Sequence, residues 1–153
     1  MTNPELKYRE ATNADQTVIV KFQLAMAEET ERLKLDPATC RKGVAAVFEQ
    51  EGLGTYYIAQ IEERVVGCLL ITTEWSDWRN GQVWWIQSLY LEPALRGKGV
   101  YSAFYAFIRD LAKATPNVRG LRLYVDRTNA HARAVYRKLG MSADHYELFE
   151  SLF

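Results

Sequence analysis

The stretch from Val83 to Val125 constrains the fold more than any other part of the chain, because it predicts a strand, a long helix and a second strand in succession. The run VWWIQSLYL (83–91) is apolar and rich in residues that favour strands. Apolar residues then recur at helical spacing, which predicts a helix over about Gly97–Thr115. LRLYV (121–125) alternates between apolar and polar residues and predicts the second strand. Strands joined by such a crossover helix lie parallel in one sheet.

The rest of the chain predicts further strands and helices of ordinary length. The predicted elements before Val83 are a strand at Leu6–Thr12, a helix opening at the Asn13 and Gln16 pair, a helix opening at Asp36 and Pro37, and strands at Thr55–Ile61 and Val65–Trp75. An Asn80-Gly81 pair predicts a hairpin turn. Asn129–Gly140 predicts a short helix, and Asp144–Phe153 predicts a last strand. The order indicates a mixed α/β sheet of the α+β type, and residues 1–153 predict one domain.

Charge and cysteine content argue against several classes of protein. Lys plus Arg and Asp plus Glu number 19 each, a balance that disfavours nucleic-acid and acidic-membrane partners. No run approaches the roughly 18 apolar residues that cross a membrane, and no signal peptide is recognisable. Cys40 and Cys68 have no CxxC partner and no histidine at metal spacing. We therefore expect two reduced thiols, no metal site and a cytoplasmic location.

The sequence RGKGVY (96–101) is a candidate phosphate site, because it lies between a predicted strand and a predicted helix. Glycines let an anion approach the amides that the first turn of a helix leaves unbonded. The helix dipole, Arg96 and Lys98 would add positive charge. The segment lacks the pattern of a Walker loop and the third glycine of a dinucleotide fingerprint. On spacing alone, an ordinary strand-to-helix turn fits it as well.

Two stretches together resemble the signature of the GNAT superfamily of N-acetyltransferases, in a bacterial form. IQSLYLEPALRGKGVY is similar to the family's central strand and the helix opening that follows it, and NAHARAVYRKLGM is similar to the family's later helix. Both occur in the family's order and at a similar separation. The matching residues are Ile86, Leu89, Tyr90, Leu91, Pro93, Arg96 and Gly99 in the first stretch, and Asn129, Ala132, Val135, Tyr136, Gly140 and Met141 in the second.

The resemblance implies a mostly antiparallel sheet that splays between its fourth and fifth strands, with helices on both faces. It implies transfer of an acetyl group from acetyl-CoA to a primary amine, on a small molecule or a protein, by direct attack in a ternary complex. The pantetheine arm of coenzyme A would lie in the splayed gap, and amides from Arg96 to Ser102 would hold the pyrophosphate. The residues implied to bind the cofactor are Leu89, Tyr90, Leu91, Arg96, Gly97, Lys98, Gly99, Val100, Tyr101, Ser102, Asn129 and Tyr136.

The resemblance also implies catalytic roles. Tyr136 would protonate the leaving thiolate and the Leu91 amide would bind the oxyanion, although Tyr136 also fits a core position. The family's usual carboxylate is replaced by Gln87, which cannot accept a proton from an ammonium ion. Glu74 is one substitute for that base, and a solvated strand end is its other interpretation. A water chain or a neutral acceptor would also serve, and the remaining carboxylate candidates are Glu28, Glu29 and Glu31.

Three further features stay open at this stage. Tyr101 replaces a small residue of the family pattern, and its ring could pack along its own helix or contact the cofactor. Asn129 could cap the helix that follows it, bind the pantetheine arm, or do both. The four tryptophans near the Asn80-Gly81 turn predict core or cross-strand contacts, with one or two free to frame a cationic acceptor.

Three functions are compatible with the sequence. The first is an acetyl-CoA-dependent N-acetyltransferase, the second a non-catalytic sensor that binds acyl-CoA, and the third an unrelated α/β binding module. Retention of Tyr136 favours the first over the second, and the two signature stretches disfavour the third. The amine acceptor is not identified by the sequence, and the apolar YELFESLF (146–153) offers a surface for a homodimer.

Overall fold

In the computed structural model, which describes residues 5–153, a five-stranded sheet is surrounded by four helices. The strands are β1 (Leu6–Glu10), β2 (Thr55–Ile61), β3 (Arg64–Ser76), β4 (Gly81–Leu91) and β5 (Val118–Leu123). The helices are α1 (Gln16–Glu31), α2 (Pro37–Glu49), α3 (Val100–Ala114) and α4 (Ala130–Lys138). The strands lie in chain order, antiparallel from β1 to β4, and β5 pairs parallel to β4. The predicted mixed, mostly antiparallel sheet is confirmed.

Two hydrophobic cores lie on opposite faces of the sheet, and alternate residues of β2 contribute to them. Tyr57 and Ala59 belong to the core that packs against α3, whereas Tyr56 and Ile58 belong to the core that packs against α1 and α2. Leu139, after α4, also packs against the α3 core. Helices therefore cover both faces, as the resemblance implied.

The capping residues in the sequence predict the start of α2 correctly, whereas the cap before α1 differs from the prediction. The Asp36 carboxylate accepts a hydrogen bond from the Thr39 amide at 2.9 Å, and Pro37 takes the first position of α2, as predicted. Before α1, the side chain of Asp15 accepts from the Thr12 amide at 2.7 Å. This capping box forms the entry to α1. The predicted Asn13 and Gln16 pair also forms, since Gln16 Nε2 donates to Asn13 Oδ1 at 3.0 Å, but it joins two side chains and caps no main-chain amide of the described chain.

The predicted last strand is wrong, because residues 142–153 form neither helix nor strand. Aromatic residues such as those at the end of this chain favour strands, but a strand also needs a neighbour that accepts its hydrogen bonds. The bounds of β5 also differ from the prediction, since it begins at Val118 and ends at Leu123. Its parallel pairing with Gln82–Ile86 sets these bounds.

β4 is bonded on both edges only along its first part, Gln82–Ile86, which we call the closed half. Its second part, Gln87–Leu91, pairs with β3 alone, and we call it the open half. At their junction Ser88 adopts a φ of 51°, and two residues of β4 face one of β3, which is a β-bulge. The splay between the fourth and fifth strands is confirmed. No helix within residues 5–153 is long and apolar enough to cross a bilayer.

Candidate functional site

The open half of β4 carries main-chain groups that β3 does not bind. The Glu92 amide donates to the Val66 carbonyl at 2.9 Å, so Leu91 and the opposite Gly67 form a pair that exchanges no hydrogen bonds. The Leu91 N–H therefore points away from β3, into the gap beside β5. The Leu91 carbonyl lies on the same edge and accepts from Arg96 Nε at 2.9 Å.

A turn with unbonded amides leads from this strand into α3. The Arg96 amide donates to the Pro93 carbonyl at 3.2 Å, and the Ala103 amide donates to the Gly99 carbonyl at 3.1 Å. Between them, the amides of Gly97–Ser102 donate to no group of the described chain, and no side chain caps α3. The candidate anion site therefore narrows from Arg96–Ser102 to Gly97–Ser102, because the Arg96 amide is already engaged.

Glycine is needed at two positions of this turn. Gly97 and Gly99 have φ values of 74° and 80°, a region that residues with a Cβ avoid. A Cβ at either position would meet no atom within 4 Å, so the requirement comes from the backbone conformation and not from crowding. The turn therefore leaves the space in front of the amides open.

Of the three predicted sources of positive charge at this helix opening, Arg96 is paired with a carboxylate. The Arg96 side chain donates from Nη2 to a Glu29 oxygen at 2.7 Å, and its guanidinium lies 5.3 Å from the centre of the Tyr90 ring. Its charge is thus shared with a carboxylate of α1. The exposed Lys98 makes no ion pair with any described residue. The positive end of the α3 dipole adds to the charge of Lys98.

Tyr136 lies against Tyr101 at the opening of α3. Their ring centres are 5.6 Å apart with the rings tilted by 57°, a contact that neither sequence interpretation of Tyr101 included. The Tyr101 hydroxyl is buried and has no hydrogen-bond partner among residues 5–153. Burial raises the pKa of Tyr136 to about 12, so its phenol is protonated at neutral pH.

Asn129 caps α4, as one of its two interpretations required. Its Oδ1 accepts from the Ala132 amide at 3.0 Å, directly at the start of the helix. Its Nδ2 donates no hydrogen bond within the part of the chain that the structure describes. The capping bond therefore leaves the amide NH₂ group free for a ligand.

The structure places Glu74 far from the open half. Glu74 is opposite Val83, eight residues before Leu91 along β4, and a rise of roughly 3.3 Å per residue separates these positions by about 26 Å. Its carboxylate pairs with Arg122 of β5. Glu29 is the acidic candidate that lies near the open half, because Arg96 binds both its carboxylate and the Leu91 carbonyl. This placement argues against Glu74 as the base.

Two residues that position the site carry no signal in the sequence. The Tyr8 hydroxyl of β1 donates to the Val100 carbonyl at 3.2 Å, and its ring stacks on Phe104 with centres 5.0 Å apart. Tyr8 thereby holds the first turn of α3 from a strand 92 residues away. Ser88 forms the bulge, yet serine in an apolar strand predicts no positive φ. Only the inward position of Tyr8 in its strand pattern hints at a role.

None of the four tryptophans lies in the open half of β4. Trp84 is buried in the α3 core, and Trp85 lies 4.5 Å from the Tyr124 ring. Trp75 and Trp78 are exposed beside the turn that precedes β4, away from the open half. Within residues 5–153, no three His, Cys, Asp or Glu side chains are grouped so that they could hold a metal ion.

Comparisons with known proteins point to one family. Residues 22–141 match the model of the acetyltransferase (GNAT) family. A crystal structure of a possible acetyltransferase from Clostridium difficile 630 is 36% identical, covers 97% of each chain and superposes with a TM-score of 0.90. No protein among the curated ones matches the chain.

Two more distant structures share the fold. A predicted acetyltransferase from Clostridium acetobutylicum, solved with acetyl-CoA, is 18% identical with a TM-score of 0.75, covering 95% of this chain and 96% of the other. A ribosomal-protein-alanine N-acetyltransferase from Brucella melitensis biovar Abortus 2308 is 15% identical with a TM-score of 0.78, covering 97% and 100%. At these identities the likeness concerns the fold alone.

Proposed function

The chain belongs to the GNAT family of acetyltransferases, and on that premise we propose that it transfers an acetyl group from acetyl-CoA to a primary amine. One observation carries the proposal. The unbonded amides of Gly97–Ser102 begin a helix directly beside the open half of β4. A diphosphate and an extended amide-containing arm, joined end to end as in coenzyme A, match these two features.

The cofactor would use main-chain groups more than side chains. The pyrophosphate accepts hydrogen bonds from the amides of Gly97–Ser102, with Lys98 adding charge. The pantetheine arm lies along the open half and pairs with Leu89 and Leu91 in place of a neighbouring strand. The free Nδ2 group of Asn129 donates to a carbonyl of the same arm. Most of these contacts survive side-chain substitution, since backbone groups make them.

In the proposed reaction a neutral amine attacks the thioester carbonyl carbon. The C–N bond forms, and the oxygen of the tetrahedral intermediate accepts a hydrogen bond from the Leu91 N–H. The nitrogen loses its extra proton to water, the C–S bond breaks, and Tyr136 gives its proton to the departing thiolate. The Tyr136 phenolate then regains a proton from water, which completes the cycle. With its pKa raised to about 12, Tyr136 holds that proton throughout the neutral range. Its position against Tyr101 keeps it beside the helix opening.

The acceptor approaches from the face of the sheet that α1 and α2 cover. Glu28, Glu29 and Glu31 lie in the last turn of α1, and all three are exposed. Their negative charge would attract a cationic amine toward the open half. A depression of about 410 Å³ lies on this face between α1 and the end of β4. Its lining residues are Lys21, Phe22, Ala25, Tyr90, Glu92, Pro93 and Ala94.

The proposal is tested by thiol release from acetyl-CoA across a panel of small amines and peptides, with thermal melting in the presence of coenzyme A. We expect a cofactor-dependent rise in Tm, because a ligand that binds only the folded state stabilises it. Tyr136→Phe should lower kcat by about 100-fold or more, the size of general-acid catalysis, with little change in coenzyme A affinity. Tyr124→Phe, which changes an exposed tyrosine after β5, is the matched control and should leave kcat unchanged.

Two other outcomes would select different functions. Binding of coenzyme A with no turnover on any amine would favour the acyl-CoA sensor, an alternative supported by Gln87 at the family's carboxylate position. The absence of any rise in Tm with coenzyme A would contradict both proposals. Equal kcat values for Tyr136→Phe and wild type would remove Tyr136 from the mechanism but not the transfer itself.

A further inference from the structure

A pocket of about 370 Å³ lies between α1 and α2, on the face of the sheet opposite α3. Residues from α1, from the start of α2 and from β2 line it, and we call it the helix pocket. Its volume is within the range of roughly 300–1,000 Å³ for small-molecule sites. No residue that lines it also lines the depression at the end of β4, and none belongs to the open half or to α3. The helix pocket is therefore separate from the site proposed for acetyl transfer.

Two buried side chains line the helix pocket with polar groups that the described chain leaves unpaired. Gln23 is 8% exposed and Tyr56 is 5% exposed. Gln23 Nε2 donates to Cys68 Sγ at 3.8 Å, but its Oε1 accepts no hydrogen bond within residues 5–153, and the Tyr56 hydroxyl forms none either. Neither oxygen is sealed inside the protein, since the Tyr101 hydroxyl is the unpaired side-chain atom that is sealed in the described chain. Both oxygens can therefore meet a partner that enters the pocket.

Gly43 keeps the helix pocket open. It lies in the interior of α2, where glycine destabilises a helix relative to alanine. Its φ is not positive, and a Cβ there would meet no atom within 4 Å. Neither backbone conformation nor close packing thus requires glycine at this position. The missing side chain leaves free space in the pocket that Gly43 lines.

The two unpaired oxygens favour a hydroxyl group on the ligand. Gln23 Oε1 can only accept a hydrogen bond. Burial raises the pKa of Tyr56 to about 12, so its hydroxyl is protonated at neutral pH and can donate. One hydroxyl on a ligand can donate to the first oxygen and accept from the second. The two partners therefore suit a single group that combines both capacities.

The rest of the lining favours a neutral ligand with an apolar body. Leu35, Cys40 and Val44 supply apolar walls. Asp36 also lines the helix pocket, and hydrogen bonds from Thr39 lower its pKa, so it carries a negative charge at neutral pH. No lysine or arginine of the described chain lines the pocket. An anionic ligand would meet a carboxylate and no balancing cation.

We propose that the helix pocket binds a small neutral molecule with an apolar body and one hydroxyl group, such as an alkylphenol. The ligand hydroxyl donates to Gln23 Oε1 and accepts from the Tyr56 hydroxyl. The apolar body occupies the space beside Gly43 and contacts Val44. The proposal does not depend on acetyl transfer or on coenzyme A binding.

Protection of Cys40 from iodoacetamide tests the proposal. Cys40 is partly exposed in the helix pocket, whereas Cys68 is 0% exposed, so Cys40 is the thiol that reacts in the folded protein. At about pH 8.5, 4-ethylphenol at about 1 mM should slow its labelling roughly fivefold, the factor 1 + [L]/Kd for a Kd of roughly 0.25 mM. Ethylbenzene lacks the hydroxyl and should slow labelling less than about twofold, because it leaves both oxygens unpaired. The anion 4-ethylbenzoate should have no effect.

Three variants connect this protection to the helix pocket. Gly43→Leu fills the open space, so 4-ethylphenol should no longer change the labelling rate. Lys42→Leu adds the same side chain at the exposed neighbouring position of α2 and should respond as the wild type does. Gln23→Leu removes the Oε1 acceptor and keeps a side chain of similar size. In that variant the protection by 4-ethylphenol and by ethylbenzene should differ by less than about twofold.

Four results would overturn the proposal. They are wild-type labelling that 4-ethylphenol leaves unchanged, equal protection by ethylbenzene, equal protection by 4-ethylbenzoate, and protection that Gly43→Leu retains. Circular dichroism verifies that each variant is folded, and if Gly43→Leu is unfolded, the wild-type preference for 4-ethylphenol and its loss in Gln23→Leu decide. Labelling needs neither coenzyme A nor turnover, so its outcome is independent of the proposed acetyl transfer.

Discussion

The two halves of β4 belong to one continuous strand but differ in what lies beside them. The closed half, Gln82–Ile86, is bonded to β3 and β5 and carries only structural pairings. The open half, Gln87–Leu91, is bonded to β3 alone and ends at a turn of unbonded amides. The bulge at Ser88 separates them. One residue in an unusual conformation thus lies where the pairing of β4 with β5 ends.

The charged groups near the two halves show the same contrast. Beside the closed half, Glu74 of β3 and Arg122 of β5 form a pair that links the two strands on either side of β4. Beside the open half, Arg96 joins Glu29 of α1 to the Leu91 carbonyl. Only the Arg96–Glu29 pair brings a carboxylate close to the open half, where the main chain of β4 has no neighbouring strand on one side. The comparison predicts that substitutions near the open half affect ligand binding and those near the closed half do not.

The largest effect is expected at Ser88. A valine there would have to hold a β-branched side chain at a φ of 51°, which costs about 1–2 kcal/mol or flattens the bulge. We expect Ser88→Val to lower the free energy of unfolding and to abolish the rise in Tm with coenzyme A. Ser88→Gly, which tolerates positive φ, should retain both. A normal cofactor response in the valine variant would show that the bulge does not create the gap.

The next effect compares two glycines that have a similar positive φ. Gly99→Ala and Gly52→Ala each place a Cβ at a positive φ, 80° and 85°, with no atom within 4 Å. Both should lose roughly 1 kcal/mol of stability. Only Gly99→Ala disturbs the amides at the opening of α3, so only it should weaken coenzyme A binding, by about tenfold. Calorimetric titration measures the coenzyme A affinity of each variant. Equal affinities would contradict an anion site at Gly97–Ser102.

A smaller effect distinguishes the two carboxylates. Glu29→Gln should reduce kcat/KM for a cationic amine by about three- to tenfold, because it removes charge beside the open half. Glu74→Gln changes the same functional group beside the closed half and should leave kcat/KM unchanged. Steady-state kinetics at low ionic strength gives the clearest comparison, since salt screens exposed charges. The reverse result would restore Glu74 as the acceptor-binding or basic group.

The smallest effect concerns alkaline stability. Burial raises the pKa of Tyr136 and of Tyr56 from about 10 to about 12, so the folded state binds more protons than the unfolded state between these values. The free energy of unfolding should therefore be unaffected below pH 10 and fall as pH rises, by about 1 kcal/mol per group at pH 11. Urea unfolding measures it, and Tyr136→Phe and Tyr56→Phe should each reduce the fall.

Repeating the alkaline unfolding measurement with bound coenzyme A distinguishes the two tyrosines. Tyr136 lies at the opening of α3, whereas Tyr56 lies in the core beneath α1 and α2. The bound cofactor should therefore change the alkaline contribution of Tyr136 and leave that of Tyr56 as it was. An equal response of both tyrosines would mean that the cofactor acts on global stability rather than beside Tyr136.

Local features of the sequence predict much of the fold. Asp36, Pro37 and Asn129 occupy the helix starts that their capping chemistry predicts, because capping involves neighbours within three residues. The strand pattern of β4 and the glycines before α3 are similarly local. The last strand was predicted wrongly for the opposite reason. The composition of Asp144–Phe153 contains no information about which strand will pair with it.

By itself, the sequence determined the order of elements as far as α4, the glycine turn before α3 and the family, since these depend on periodicity, on φ preferences and on recognisable residue spacing. The tertiary structure decided where the sheet opens, that Tyr136 meets Tyr101, and that Arg96 reaches Glu29. These arrangements join residues between 35 and 67 positions apart, or depend on the pairing of whole strands. Such contacts form only when the packing of both cores fixes the distances between elements, and no local pattern encodes those distances.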